Sequence, residues 1–416
     1  MIYSPIYDEW KKGLPKGGLY LDTIYRLIEE PSIRWFENVR EIDTSEEFIL
    51  EASMSPVDAP TRRQFLNDDR GREQMLHSNL KKLILSWPRE KIYNHDLEIF
   101  EFDGMLQNFY DALEVGVPRE KILLVLHTHD DDFIKNKLTK LNINFIEVDY
   151  FELDAYHRLR NGIEVNNVDD VSFSNRLKDK YFLTLNGKPW KWSRMGLMIK
   201  LWKENILQNG YGSLIRTFGD KKNFKSKRDY YYDNLNQFYR ADRVRDVLSV
   251  EEWLEFVNYW NKNLRRTDSE LDLKTGVYGH HYSGYPFDVS LYRNTLFSIV
   301  VETHSGDKQQ GDGDLSYFLT EKTARAIINS HPFLMVSTKG FLKNLTDRGY
   351  ENYPMFDNSY DDVDSFDERL DLIINQVTNF DDSKIEESLE IAKHNKQNLI
   401  DRSKKQSKEL LDVIIR

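Results

Sequence analysis

The sequence predicts an α/β protein of two domains, each built on a parallel sheet, and three observations carry that expectation. The chain has 416 residues, more than one hydrophobic core ordinarily serves. From residue 83 to 148 short apolar runs alternate with amphipathic stretches, the order of βαβ units. The same alternation begins afresh at Tyr181. The expected organisation is therefore an N-terminal domain over 1–175, a second domain over 176–370 with an insertion at 218–284, and C-terminal helices over 371–416.

In chain order, Leu97-Glu-Ile-Phe-Glu-Phe alternates as a strand does, Asp103-Gly104 reads as a turn, and a helix over 105–114 is broken by Gly116-Val-Pro. Lys121-Ile-Leu-Leu-Val-Leu is the continuous apolar run of a strand buried on both faces. After His127-Thr-His-Asp-Asp-Asp come a helix over 133–141 and a strand over 144–148. The second block opens with a strand over 181–186, a turn at Gly187-Lys-Pro, and an apolar helix over 194–205. A strand over 296–301 carries Glu302 at its end, a helix starts near Thr320, and Phe333-Leu-Met-Val-Ser forms one more strand. Residues 367–416 are helical and highly charged. The stretch 218–284, dense in Tyr, Trp and Asn, fits neither block.

Composition narrows the chemistry. Hydrophobic residues make up 40% of the chain and aromatics 13%, enough to build a core. There is no cysteine, which excludes disulfides, thiolate zinc sites and a cysteine nucleophile. A formal net charge of −11 sets the whole surface against phosphate backbones. One local segment, Lys221-Lys-Asn-Phe-Lys-Ser-Lys-Arg-Asp-Tyr-Tyr-Tyr, interleaves cations with aromatics that can stack on bases or sugars, although a solvated loop has the same composition. No apolar run reaches the about 20 residues of a membrane helix, and the N-terminus lacks the basic start and apolar segment of a secretory signal. The expectation is a cytoplasmic protein without membrane insertion, in the host cytoplasm if the gene is viral.

Phe297-Ser-Ile-Val-Val-Glu-Thr-His, followed by Tyr317-Phe-Leu-Thr-Glu-Lys and His331-Pro-Phe, is the strongest constellation. It sets Glu302 and His304 at the carboxyl end of a buried strand, where open α/β sheets bind ligands. It also sets Thr320, Glu321 and Lys322 in the first turn of a helix, whose positive end favours phosphate. A lysine there can neutralise a diphosphate leaving group, and a carboxylate can hold ribose or sugar hydroxyls. An ordinary capped helix carries the same residue types. In Phe182-Leu-Thr-Leu-Asn-Gly-Lys-Pro-Trp-Lys-Trp-Ser-Arg, Arg194 stands at a helix start, where the dipole disfavours a cation and a bidentate phosphate contact would explain one.

These two segments resemble the donor-binding motifs of the α-1,3-fucosyltransferase family and of related glycosyltransferases in bacteriophages and marine microbes. In those enzymes a strand ends in Phe-Glu-Asn-Ser and Tyr-x-Thr-Glu-Lys opens a helix. The resemblance carries Glu302, Glu321 and Lys322 onto sugar and diphosphate contacts, with Thr303 and His304 in place of Asn-Ser. Phe318 is the aromatic ahead of Thr320-Glu-Lys, and Arg293 is the cation nearest the place where the family often has one. It implies two Rossmann-like domains facing across a cleft, GT-B-like, with the C-terminal helices packing back on the first. It further implies an inverting transfer from a nucleotide-sugar donor to a hydroxyl, with no metal or other cofactor required. The acceptor is a glycan or, if the gene is viral, a hydroxymethylated base in modified DNA. Direct displacement needs a carboxylate base on the acceptor side; Asp103 is the first candidate by position and Asp130 the second.

Three other readings stay open. Asp130 and Asp132 satisfy the Asp-x-Asp pattern of metal-dependent glycosyltransferases, and His127, His129 and Asp130 could serve a metallohydrolase, while acidic residues also cap helices. Gly279-His-His281 is a weaker candidate, because adjoining strand residues point to opposite faces. A non-catalytic binding module would use the aromatic region 230–260 as its surface.

Overall fold

The computed structural model describes residues 2–5, 34–35, 44–53, 69–87, 96–127, 132–160, 180–186, 191–213, 241–264, 290–302, 304–305 and 317–416. The chain is a mixed α/β protein with two parallel sheets and divides into two compact units. The described residues up to 160, with 400–416, form the first, and those of 180–399 form the second.

The first unit holds a six-stranded sheet, order β2-β1-β3-β4-β5-β6, in which every described pairing is parallel. Its strands are β1 Ile2–Pro5, β2 Arg34–Trp35, β3 Phe48–Ser53, β4 Leu80–Trp87, β5 Ile122–His127 and β6 Phe145–Val148. The helices are α1 Asp69–Met75, α2 Asp96–Val115, α3 Asp132–Lys140 and α4 Tyr150–Arg160. Residues 122–126 are buried without a break, as their apolar run foretold. Leu106, Phe109 and Ala112 of α2 pack with Leu83, Leu85 and Leu124 of the sheet.

One sequence expectation is overturned here. Residues 97–102 are not a strand and Asp103-Gly104 is not a turn, since α2 runs unbroken from Asp96 to Val115. The alternation in Leu97-Glu-Ile-Phe-Glu-Phe is short. The apolar positions 99, 102, 106, 109 and 113 keep the spacing of three and four that a helix needs to face one core. Asp103 thus lies in the body of a helix, and the strand-end argument for it as a base falls.

The second unit holds a four-stranded parallel sheet, order β10-β9-β7-β8, from β7 Phe182–Leu185, β8 Gly210–Ser213, β9 Phe297–Val301 and β10 Phe333–Val336. Its helices are α5 Trp192–Lys203, α6 Ala241–Val247, α7 Val250–Asn263, α8 Ser290–Arg293, α9 Glu321–Ile328, α10 Phe341–Asp347 and α11 Phe366–Asn379. A long helix, α12 Ile385–Ile415, follows. Both β9 and β10 are wholly buried. Phe182 lies so close to the backbone of Gly210 that a Cβ there would sit 2.2 Å from the ring. The region 218–284 supplies α6 and α7, while the basic segment 221–232 and Gly279-His-His281 lie outside the described residues. In α7, Trp253, Phe256 and Trp260 are 0, 0 and 3% exposed. Their spacing of three and four turns them into one core face, so these aromatics are not a binding surface.

Five helices stop in the same way. At Gly116, Asn142, Asn205, Ser330 and Gly349 φ is positive, and each donates to the carbonyl three residues back while the next residue donates five back, as Val117 does to Ala112 at 3.0 Å. This closing pair satisfies carbonyls that the helix end leaves open. In the first four it returns the chain to the next strand, whereas after Gly349 the chain goes on to α11.

The last stretch of α12 belongs to the first unit. There the Arg402 guanidinium donates to Asp149 (2.6 Å) and Glu152 (3.1 Å), and the Gln406 amide donates to Asp149 (2.8 Å) and accepts from its N–H (2.9 Å). Among the described residues no helix is long and apolar enough to cross a membrane.

Candidate functional site

In the second sheet the first strand of the unit, β7, has β8 on one side and β9 with β10 on the other. Right-handed crossovers therefore send α5 and α9 to opposite faces, and the carboxyl ends of β7 and β9 form a topological switch point, where sheets of this kind bind ligands. Asn186 follows β7 and Glu302 follows β9, so both stand at that point.

Glu302 is wholly buried, and its backbone N–H still donates to Val336 of β10 (3.0 Å). Its carboxylate accepts from the Thr320 N–H at 3.0 Å, from the Thr320 hydroxyl and from the Thr323 hydroxyl. Thr320 is the N-cap of α9, in extended conformation. Its Oγ1 accepts from the Lys322 N–H (3.4 Å) and from the Lys322 ammonium (3.1 Å). The strand end, the cap and the first turn are thereby one hydrogen-bonded unit. The Lys322 ammonium also pairs with Glu321 at 3.0 Å. Burial opposes ionisation of Glu321, but Lys322 and Arg325 outweigh it and hold the carboxyl below its usual range.

Rings pin the residues just ahead of the cap. Tyr317 stacks on Phe341 with centroids 5.0 Å apart, and the Arg348 guanidinium lies 3.9 Å from its centroid. Phe318 meets the His304 ring at 5.0 Å. Both residues are nearly buried, at 4 and 8% exposure. His331 is also in the core and has no part in the site. A carbonyl can only accept, so Nε2 donates to Thr295 (3.1 Å) and Nδ1 accepts from the Ser298 hydroxyl (2.8 Å).

Two residues that the sequence did not single out hold the carboxyl edge in place. Arg369 of α11, 3% exposed, donates to the carbonyls of Ser305 (2.9 Å), Ser337 (3.3 Å), Val363 (2.6 Å) and Asp364 (3.1 Å). It fastens the segment after β9 to the segment after β10. Asp361 accepts from the N–H groups of Leu342 (3.0 Å) and Lys343 (3.2 Å), at the start of α10. Burial pushes the Asp361 carboxyl up from its ordinary value. An arginine in a charged helix and an aspartate among aspartates give no local signal. Their partners, up to 64 residues away in sequence, define them.

The expected residues divide by place. Glu302, His304, Phe318, Thr320, Glu321 and Lys322 come together at the carboxyl edge. Arg194 is the third residue of α5, the helix that β7 feeds, and is 7% exposed. Arg293 ends α8, ahead of β9. The strand between it and Glu302 spans roughly 16 Å at 3.3 Å per residue, which puts Arg293 at the opposite edge. The geometry thus separates Arg293 from the other donor-side residues.

In the first unit His127 ends β5 and Asp132 begins α3. Asp130 and His129, like the side chains of Asp103, His127 and Asp132, lie outside the described residues. The first sheet repeats the strand order of the second, with its switch point between β1 and β3. On β3 Glu51, 1% exposed, accepts from the Ser86 hydroxyl at 2.7 Å. No protein-family model matches the chain, and no curated protein matches it.

Proposed function

We propose that this chain is a glycosyltransferase that moves a sugar from a nucleotide-sugar donor to an acceptor hydroxyl, with the donor's diphosphate at the first turn of α9. One observation carries the reading: a lysine ammonium and the N–H groups of a helix N-terminus are held together at the switch point of a parallel sheet by a buried carboxylate behind them. Anions are favoured at such a terminus, and Lys322 adds the charge that a departing diphosphate needs. Arg194, in the first turn of the helix after β7, supplies a second cation at the neighbouring helix start.

The reading changes the role expected of Glu302. Both of its oxygens are engaged by Thr320 and Thr323, so it sets the position of the Thr320 turn and leaves the contact to Lys322. In this proposal transfer is inverting and needs no metal, in the manner of GT-B-like enzymes. The second unit holds the donor, and the first supplies the acceptor side and its base.

The test is a panel of nucleotide sugars and nucleoside diphosphates read by thermal shift. A donor at about 100 times its dissociation constant adds roughly 2.7 kcal/mol of stability. Lys322→Ala should weaken binding of the recognised diphosphate about tenfold or more, while the Lys322→Ala/Glu321→Gln variant, which leaves no buried carboxylate unpaired, should stay folded and show the same loss. Unchanged affinity in Lys322→Ala, or no stabilisation of the wild-type protein by any nucleotide, would refute the assignment.

A further inference from the structure

We propose that Asp367 is a positioning residue for diphosphate binding: it holds the Trp192 indole, fixes the first turn of α5 and so places Arg194. The inference rests on the reading of Arg194 as a phosphate contact.

Helix α5 starts without a cap of its own. Its N-cap is Lys191, whose side chain makes no capping bond, and no acid lies in its first turn. The hold comes from other helices. The Trp192 Nε1–H donates to Asp367 of α11 at 3.0 Å, and the Arg243 guanidinium of α6 donates to both oxygens of the same carboxylate. That guanidinium lies 4.7 Å from the centre of the Trp192 ring, within the range of a cation–π contact. One turn on, α5 has a glycine at 196, where a Cβ would sit 2.7 Å from the indole. The missing side chain leaves the ring room to lie against its own helix, and Trp192 is only 3% exposed.

Trp192 and Arg194 are two positions apart, so their side chains leave the helix about 200° apart. Pinning the first therefore sets the direction of the second. Two residues past Asp367, Arg369 donates to the carbonyls of Ser305 and Ser337, after β9 and β10, and Asp371 pairs with Lys200 further along α5. The start of α5, with Arg194, and the segment after β9, whose Glu302 holds the Lys322 turn, are thus fastened to the same two turns of α11. The dipole of α11 by itself favours an acid at 367; the bond to the indole is what ties that acid to the site.

The experiment is calorimetric titration with pyrophosphate, UDP and GDP, the one that binds the wild-type protein best serving as the probe. Asp367→Ala should bind it about tenfold more weakly, the worth of one charge-assisted hydrogen bond to phosphate. The direction is informative, because the substitution removes a negative charge and charge alone would strengthen binding of an anion. Asp367→Asn keeps an oxygen for the indole and should stay within about twofold of the wild type. Trp192→Phe removes the N–H and should show the loss of Asp367→Ala, with no further loss when the two are combined. In an Arg194→Ala background Asp367→Ala should change the affinity by less than about twofold, a dependence that a purely structural role would not produce. Unchanged or tighter binding by Asp367→Ala or Trp192→Phe would overturn the inference. So would a loss that persists in the Arg194→Ala background, or one that Asp367→Asn shares. If Arg194→Ala binds like the wild type while Lys322→Ala does not, this inference falls and the reading of α9 stands. If the wild-type protein binds none of the three probes, both fall.

Discussion

Glu302 and Thr320 are joined twice, by a backbone N–H donated at 3.0 Å and by a hydroxyl, across 18 residues of intervening chain. The first bond fixes the backbone of the helix cap, and the second turns the cap's oxygen toward Lys322. A buried carboxylate with three donors is a strong point of the fold. It accounts for the position of the candidate site without touching a ligand.

Glu302→Gln should therefore act on stability first. The new amide nitrogen faces either the Thr320 hydroxyl or, on the other side, the Thr320 N–H and the Thr323 hydroxyl, so at least one charge-assisted bond is lost and a buried donor is left facing donors. The expected cost is about 2 kcal/mol, or roughly 4–8 °C in the melting temperature of a unit this size. Thermal unfolding without ligand checks it. A variant as stable as the wild type, with donor binding alone impaired, would return Glu302 to the role of a direct sugar contact.

The pH dependence of stability should show Asp361. Its folded pKa is raised, chiefly by burial, so its contribution is fully present below the unfolded value, near 3.9, and is lost as pH rises through the folded value. Asp361→Asn keeps an oxygen for the N–H groups of Leu342 and Lys343 but cannot ionise. Its stability relative to the wild type should therefore increase from pH 3.5 to pH 7. Urea unfolding of both proteins across that range measures the difference. A flat difference would mean that the carboxylate is stabilised where it lies.

Gly210→Ala tests the close approach of β7 and β8. The added methyl would meet the Phe182 ring at 2.2 to 2.5 Å, and displacing a ring in the core costs about 1–3 kcal/mol. Phe182→Leu made in the Gly210→Ala background should recover part of that loss, giving a coupling of about 0.5 kcal/mol or more in a double-mutant cycle of urea unfolding. Strictly additive effects would show that the two positions do not collide.

How much of this was legible in the sequence depended on the range over which each signal acts. Strands β5, β7, β9 and β10 are continuous apolar runs with turn residues beside them, and they stood where expected. The helix start near Thr320 and the lysine two residues on are a local pattern, and they also held, with Thr320 as the cap and not a residue of the first turn. Residues 97–102 misled because six residues can alternate by chance inside a longer helical period. Strand β8, Gly-Tyr-Gly-Ser, has no apolar run at all and is a strand only because β7 pairs with it. Arg369 and Asp361 work through partners that are far away in sequence. No window of sequence contains those relationships.

The last prediction concerns α12. Asp149 and Glu152 are 6 and 0% exposed, and Arg402 is the cation paired with both. Breaking a buried pair from one side leaves the other charge uncompensated, which typically costs 3–5 kcal/mol, whereas removing both sides can be nearly neutral. Arg402→Ala should therefore lower the stability of the first unit by about 3 kcal/mol or more. Arg402→Lys should recover little, because one ammonium does not present the fan of N–H groups that meets two carboxylates at once. The variant that carries Asp149→Asn and Glu152→Gln together with Arg402→Ala should recover most of the loss. Hydrogen exchange resolved to residues 80–87 and 122–127 reads the first unit directly. Protection there that is the same in Arg402→Ala and the wild type would show that the ion pairs contribute nothing to this unit and that Gln406 and the apolar face hold α12 without them.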